Sequence, residues 1–76
     1  MYFLALMDRA NDRSIQFVQC ADEVNAMQVV FERDAIAVGV YGTRADLCAA
    51  AVIRWKIVAP TVTGYKATAE GSESAN

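Results

Sequence analysis

Four side chains that could supply oxygen ligands to a cation follow the first apolar run of the sequence: Asp8, Asn11, Asp12 and Ser14. A Ca²⁺ loop needs such ligands at spaced positions, together with a central glycine and a final bidentate carboxylate. Here Ala10 stands at the third position, and Arg9 and Arg13 add positive charge between the candidate ligands. We therefore interpret this segment as a solvated hairpin turn and expect no metal ion.

The residue types present give little support for acid–base or nucleophilic catalysis. The chain has no histidine, which removes the commonest general base and the usual partner of a serine or cysteine nucleophile. The close acid pairs stand at the ends of one predicted helix: Asp22 with Glu23, and Glu32 with Asp34. Paired carboxylates act as acid and base only in a cleft that shifts the pKa of one of them. We expect no enzymatic activity and no cofactor.

The two cysteines, Cys20 and Cys48, lie far apart in apolar surroundings and lack the CxxC spacing of redox and metal motifs. Buried, unreactive thiols are the expectation, with a disulfide or a reactive thiol as the alternatives.

Nucleic-acid binding is the alternative function that the basic and aromatic residues suggest. Trp55 could stack on a base, as aromatic residues of single-strand binders do. The basic residues that could accompany it are Arg9, Arg13, Arg44, Arg54 and Lys56. However, 7 basic and 9 acidic residues give a net charge of −2, so the chain lacks the basic field typical of nucleic-acid binders.

Three apolar segments predict β-strands. Residues 2–7 form a continuous apolar run, typical of a strand that is buried on both faces. Residues 14–20 predict the returning strand of a hairpin, and their alternation changes phase near Phe17, which predicts a bulge. Residues 36–41 alternate and predict a third strand, in which Gly39 leaves room for a close neighbour.

Asp22 is the predicted N-cap of a first helix that ends near Arg33 or Asp34. Its apolar residues recur at helical spacing and predict the buried face: Val24, Met27, Val30 and Phe31. Val29 falls outside this predicted face.

The segment 47–59 is apolar on nearly every side. Thr43 is the predicted N-cap of this second helix, and Pro60 ends it near Ala59. One helix face suffices to close a core this small, so the face that carries Ile53 and Ile57 is surplus. It therefore predicts contact with a second copy or a foreign partner.

These elements predict an α+β fold, a two-layer sandwich in the order ββαβα. A right-handed crossover through the first helix makes strands two and three parallel. The simplest sheet has three strands in the order 2-1-3, with both helices on one face. Residues 1–60 form this single compact domain, and residues 61–76 form a C-terminal tail in which a short edge strand precedes a flexible end.

Small size and high apolar content together favour association. A chain of 76 residues buries only roughly 60% of its unfolded surface, and 55% of its residues are hydrophobic. We therefore predict a non-enzymatic protein–protein interaction module, homodimeric, that acts as an inhibitor or adaptor, such as those that phages and mobile elements use against a host complex. It would dock through an apolar helix or sheet face, or an edge strand. The residues predicted to carry binding are Ile53, Ile57, Trp55 and Tyr41, with Arg9 and Arg13 as rim charges.

No uncharged apolar run approaches the roughly 18 residues of a membrane span. The apolar N-terminal run lacks the basic residues and the cleavage site of a signal peptide. We expect a soluble, cytoplasmic protein with no membrane partner.

Overall fold

The computed structural model describes residues 1–10 and 14–66, so the predicted flexible end of the tail lies outside the described residues. The elements in chain order are β1 (Tyr2–Asp8), β2 (Ile15–Cys20), α1 (Glu23–Glu32), β3 (Ala35–Tyr41), α2 (Arg44–Trp55) and β4 (Val62–Gly64). The predicted α+β class with two helices is confirmed. In the described ranges, neither helix combines the length and the hydropathy that a membrane crossing requires.

The sheet is mixed and has the strand order β3-β1-β2-β4. Strand β1 pairs antiparallel with both β2 and β3, so β2 and β3 are parallel to each other, as predicted. Strand β4 pairs in parallel with β2. The prediction of a three-stranded sheet in the order 2-1-3 is therefore incomplete, because the short C-terminal segment adds a fourth strand beside β2.

The two helices cover opposite faces of this sheet, so the prediction that both lie on one face is wrong. The cluster under α1 contains Leu4, Leu6, Val18, Cys20, Ala26, Val29 and Ala35. The cluster under α2 contains Phe3, Ala5, Phe17, Leu47 and Ala51. The connection from β2 to β3 crosses the sheet in one direction, and the connection from β3 to β4 returns in the other. Right-handed connections in opposite directions put their helices on opposite faces.

The alternation of apolar residues in β2 changes phase near Phe17 because helices cover both faces of the sheet. The β1–β2 register is continuous, so the bulge predicted near Phe17 is absent. Phe17 faces α2 and Val18 faces α1, and both side chains are buried because each face of the sheet is covered. The register shift lies instead in β3, where Val38 is an extra residue between the partners of Ala5 and Leu6.

Helix α1 begins at the predicted N-cap, since the Asp22 carboxylate accepts a hydrogen bond from the Asn25 N–H at 2.9 Å. Its predicted buried face is wrong. The side that packs on the sheet carries Ala26 and Val29, and Val29 is fully buried. Of the predicted residues, only Val30 packs against this cluster. The helix has apolar residues on two sides, and the side with the smaller residues lets its backbone approach the sheet closely.

Helix α2 begins at the predicted N-cap Thr43, whose hydroxyl accepts from the Asp46 N–H at 3.1 Å. It ends at Trp55, before the predicted end near Ala59. Lys56 adopts a left-handed backbone conformation with φ 60°, and the Ile57 N–H donates to the Ala51 carbonyl at 3.1 Å. This pattern closes a helix end and turns the chain away from the helix axis.

Candidate protein-interaction surface

The described carboxylates that were weighed as metal ligands or acid–base groups lie in turns, at helix ends and in contacts between elements. Asp8 accepts from the Ala10 N–H at 2.9 Å in the hairpin turn. Glu32 accepts from the Tyr65 hydroxyl at 2.9 Å, and Asp34 pairs with Arg9 at 3.8 Å. Within residues 1–10 and 14–66, no group of histidine, cysteine, aspartate and glutamate side chains is arranged to hold a metal ion.

The predicted binding residues Ile53, Ile57 and Trp55 do not share one surface. Ile53 is 74% exposed on α2. Ile57 lies beyond the helix end and packs against the cluster under α2. Trp55 is half-buried and meets Phe17 edge-on, with ring centroids 6.1 Å apart. Of these three residues, only Ile53 has an exposed side chain.

Arg54 ties α2 to the edge of the sheet beside Trp55 and Tyr41. Its guanidinium donates to the Val38 carbonyl at 3.0 Å and to the Tyr41 hydroxyl at 3.5 Å. The guanidinium carbon also lies 4.9 Å from the centroid of the Trp55 ring. Arg54 therefore covers one face of the aromatic ring that the nucleic-acid alternative would need for stacking.

Tyr41 lies against Gly39, the glycine predicted to leave room for a close neighbour. A Cβ added at Gly39 would stand 2.8 Å from the Tyr41 Cζ, so a side chain at this position would require the Tyr41 ring to shift. Tyr41 is half-buried in this packing.

The predicted rim charges are only partly within the described structure. Arg9 is exposed and forms a surface ion pair with Asp34, which contributes little to stability. Arg13 lies outside the described residues.

The largest exposed apolar side chain of the described residues is on α1. Phe31 is 86% exposed, Met27 is 67% exposed and Val24 is 62% exposed. Spacings of three and four residues place these three side chains on one side of the helix, opposite the buried Val29. We call these three residues the α1 stripe.

An apolar groove of about 430 Å³ separates α1 from β3 beside the α1 stripe. Leu4 and Ala37 of the sheet and Met27 and Phe31 of the helix are among its lining residues. Of the described residues that line it, only Glu23 is charged. The stripe and the groove therefore form a continuous apolar surface, which extends to the exposed Val40 on the edge strand.

The two sheet edges are poorly suited to strand addition. Strand β3 contains the bulge at Val38, whose carbonyl accepts from Arg54. Strand β4 is only three residues long. Bulges, cations and short strands are the usual features that protect a sheet edge from pairing with another chain. Neither edge therefore presents a long, unprotected strand for pairing with another chain.

Cys20 and Cys48 pack on opposite faces of the sheet, and both thiols are free. The sheet between them prevents a disulfide within one chain. Burial raises the pKa of the Cys20 thiol, which lowers the fraction of reactive thiolate at neutral pH.

We expect iodoacetamide to alkylate the half-buried Cys48 of the folded protein well before the buried Cys20. Peptide mass spectrometry after timed quenching measures both rates. In concentrated urea the two cysteines should react at similar rates, which serves as the control. Equal labelling without urea would contradict the burial of Cys20.

No protein-family model, curated protein or solved structure matches this chain. The described residues thus form a small α+β domain in which α1 carries a continuous exposed apolar surface. Sequence reasoning assigned the residues of the α1 stripe to the core and sought the surplus surface on α2. The available signal was the second apolar side of α1, carried by Ala26 and Val29.

Proposed function

We propose that this chain is a non-enzymatic protein-interaction module, an inhibitor or adaptor, that binds its partner through the α1 stripe and the adjoining groove. The exposure of Phe31 at 86%, next to Met27 and Val24, carries this proposal. Burying one such side chain in an interface gains about 2 kcal/mol from the hydrophobic effect. Soluble monomers rarely expose a large contiguous apolar surface, so such a surface usually marks an interaction site.

The composition of the surface favours a protein partner. Phenylalanine and methionine are enriched at the centres of protein interfaces, where charged residues are depleted. Asn25 and Gln28 form a hydrogen bond of 3.1 Å beside the α1 stripe and supply a polar rim. Glu23, the charged residue of the groove, repels phosphate groups, so this surface does not suit nucleic acid.

Site-specific photo-crosslinking in the source cells tests this proposal. Benzoylphenylalanine is placed at position 31, where it replaces an exposed aromatic residue with a similar one. We expect irradiation to give a discrete adduct with another polypeptide, whether that is a second copy or a foreign protein. We expect this adduct because the photoreactive ketone at position 31 would lie within the interface.

Position 53 is the matched comparison, because Ile53 is exposed on α2, where the sequence predicted the surplus face. The exposed position 45 at the start of α2 is the background control. Adducts from position 31 alone support the α1 stripe. Adducts from position 53 alone move the binding surface to α2, and no adduct from either position argues against an interaction module.

A further inference from the structure

We infer that the partner at the α1 stripe is a second copy of this chain, packed through two antiparallel α1 helices about a two-fold axis next to Met27. This inference rests on the proposed function and names the partner of the same surface. It follows from the spacing of the exposed residues, from the placement of charge around them and from the area that two copies would bury.

The spacing of the α1 stripe is self-complementary. Val24 and Phe31 are seven positions apart, and Met27 stands next to the midpoint between them. An antiparallel pair of helices related by a two-fold axis therefore places Val24 against Phe31 of the second copy. The smaller side chain then faces the larger one at both ends of the contact. The two Met27 side chains meet at the axis, where their flexibility fills an irregular gap well.

The charges on α1 do not oppose this arrangement. Glu23 and Glu32 are nine positions apart, which at 100° per residue puts them half a turn from each other around the helix. A two-fold axis brings each side of the stripe against the same side of the second copy. Glu23 therefore lies on the opposite side of the contact from Glu32 of the second copy. The two copies of Glu23 share one side but are about nine residues apart along the helix axis, roughly 13 Å, so no like charges are forced together.

The exposed area matches a reversible dimer. An aromatic side chain such as Phe31 contributes on the order of 150 Å² when it becomes buried. With Met27, Val24 and the adjoining Val40 also exposed, two copies would bury on the order of 1,000 Å² in total. This is the lower limit for a specific interface, so we expect the dimer to dissociate upon dilution.

Light scattering on the purified chain over a wide concentration range tests the inference, with charge variants at the axis. Wild type should shift from a mass of 8.3 kDa towards twice that value as its concentration rises. Met27→Glu and Met27→Lys should each raise the dimer Kd by about 100-fold or more, because like charges meet in an apolar contact. An equimolar mixture of the two variants should restore the dimer, because glutamate then faces lysine.

Ile53→Glu is the matched control, since it adds charge at an exposed site on α2 and should leave the dimer intact. Circular dichroism checks that each variant is folded, which the 67% exposure of Met27 leads us to expect. A dimer that persists in both Met27 variants overturns the inference. A wild type that stays at 8.3 kDa, together with an adduct between position 31 and a foreign protein, rejects the second copy and leaves the proposed function standing.

Discussion

We expect Val29→Asp to abolish folding of this domain and Phe31→Asp to leave it folded. The two residues are only two positions apart on α1, but Val29 is fully buried against the sheet and Phe31 is 86% exposed. A carboxylate at position 29 would lack a charged or hydrogen-bonding partner, and burying it costs several kcal/mol. That cost is comparable to the whole stability of a small domain. Urea denaturation followed by circular dichroism measures whether each variant folds and its free energy of unfolding.

Val29→Ala is the milder companion variant and should lower the free energy of unfolding by about 2 kcal/mol. Phe31→Ala should change it by less than about 0.5 kcal/mol in the monomer, at a concentration below the dimer Kd. The opposite ranking would mean that α1 packs on the sheet through the stripe residues. Both the proposed function and the second-copy inference would then lose their surface.

Phe17→Ala should lower the free energy of unfolding by about 3 kcal/mol or more, because α2 covers the face of the sheet on which Phe17 lies. Phe17 is 5% exposed and packs with Leu47 and Ala51 of α2. Leu6→Ala on the other face should cost a similar amount, since Leu6 is fully buried under α1. For both variants the urea concentration at the midpoint of unfolding should fall, while the dependence of the unfolding free energy on urea concentration stays unchanged.

Ile53→Ala is the control for these two substitutions, because its side chain is exposed on α2 and its loss should be nearly neutral. A large effect of Leu6→Ala with no effect of Phe17→Ala would mean that α2 does not cover its face of the sheet. The domain would then have the two layers that the sequence predicted.

Local signals in the sequence were reliable where the structure depends on near neighbours. The caps Asp22 and Thr43 each act over three residues, and both were predicted. The parallel relation of β2 and β3 followed from the hairpin and from the handedness of one crossover. The end of α2 could not be predicted, because Lys56 adopts a left-handed conformation without the glycine that usually signals it.

The faces of the elements were harder to predict, because they depend on what packs against them. Alternation in β2 changed phase near Phe17 because both faces of the strand are buried, and a bulge explained the same pattern equally well. Helix α1 offered two apolar sides, and the count of large residues favoured the side with Phe31. In the structure the small Ala26 and Val29 face the sheet instead. Ile53 is exposed in the structure. The α1 stripe was missed because the sequence analysis assigned the larger apolar residues of α1 to its buried side.

The pairing of β4 with β2 has a consequence for the order in which the chain folds. The hairpin of β1 and β2 joins segments that are close in sequence, and such hairpins form within microseconds. By contrast, the Thr63 hydroxyl bonds to the Phe17 carbonyl across 46 residues. Before the intervening chain has folded, closing a loop of that length costs more entropy than closing the hairpin. We therefore expect strand β4 to be the last strand to join the sheet and the first to detach when the domain begins to unfold.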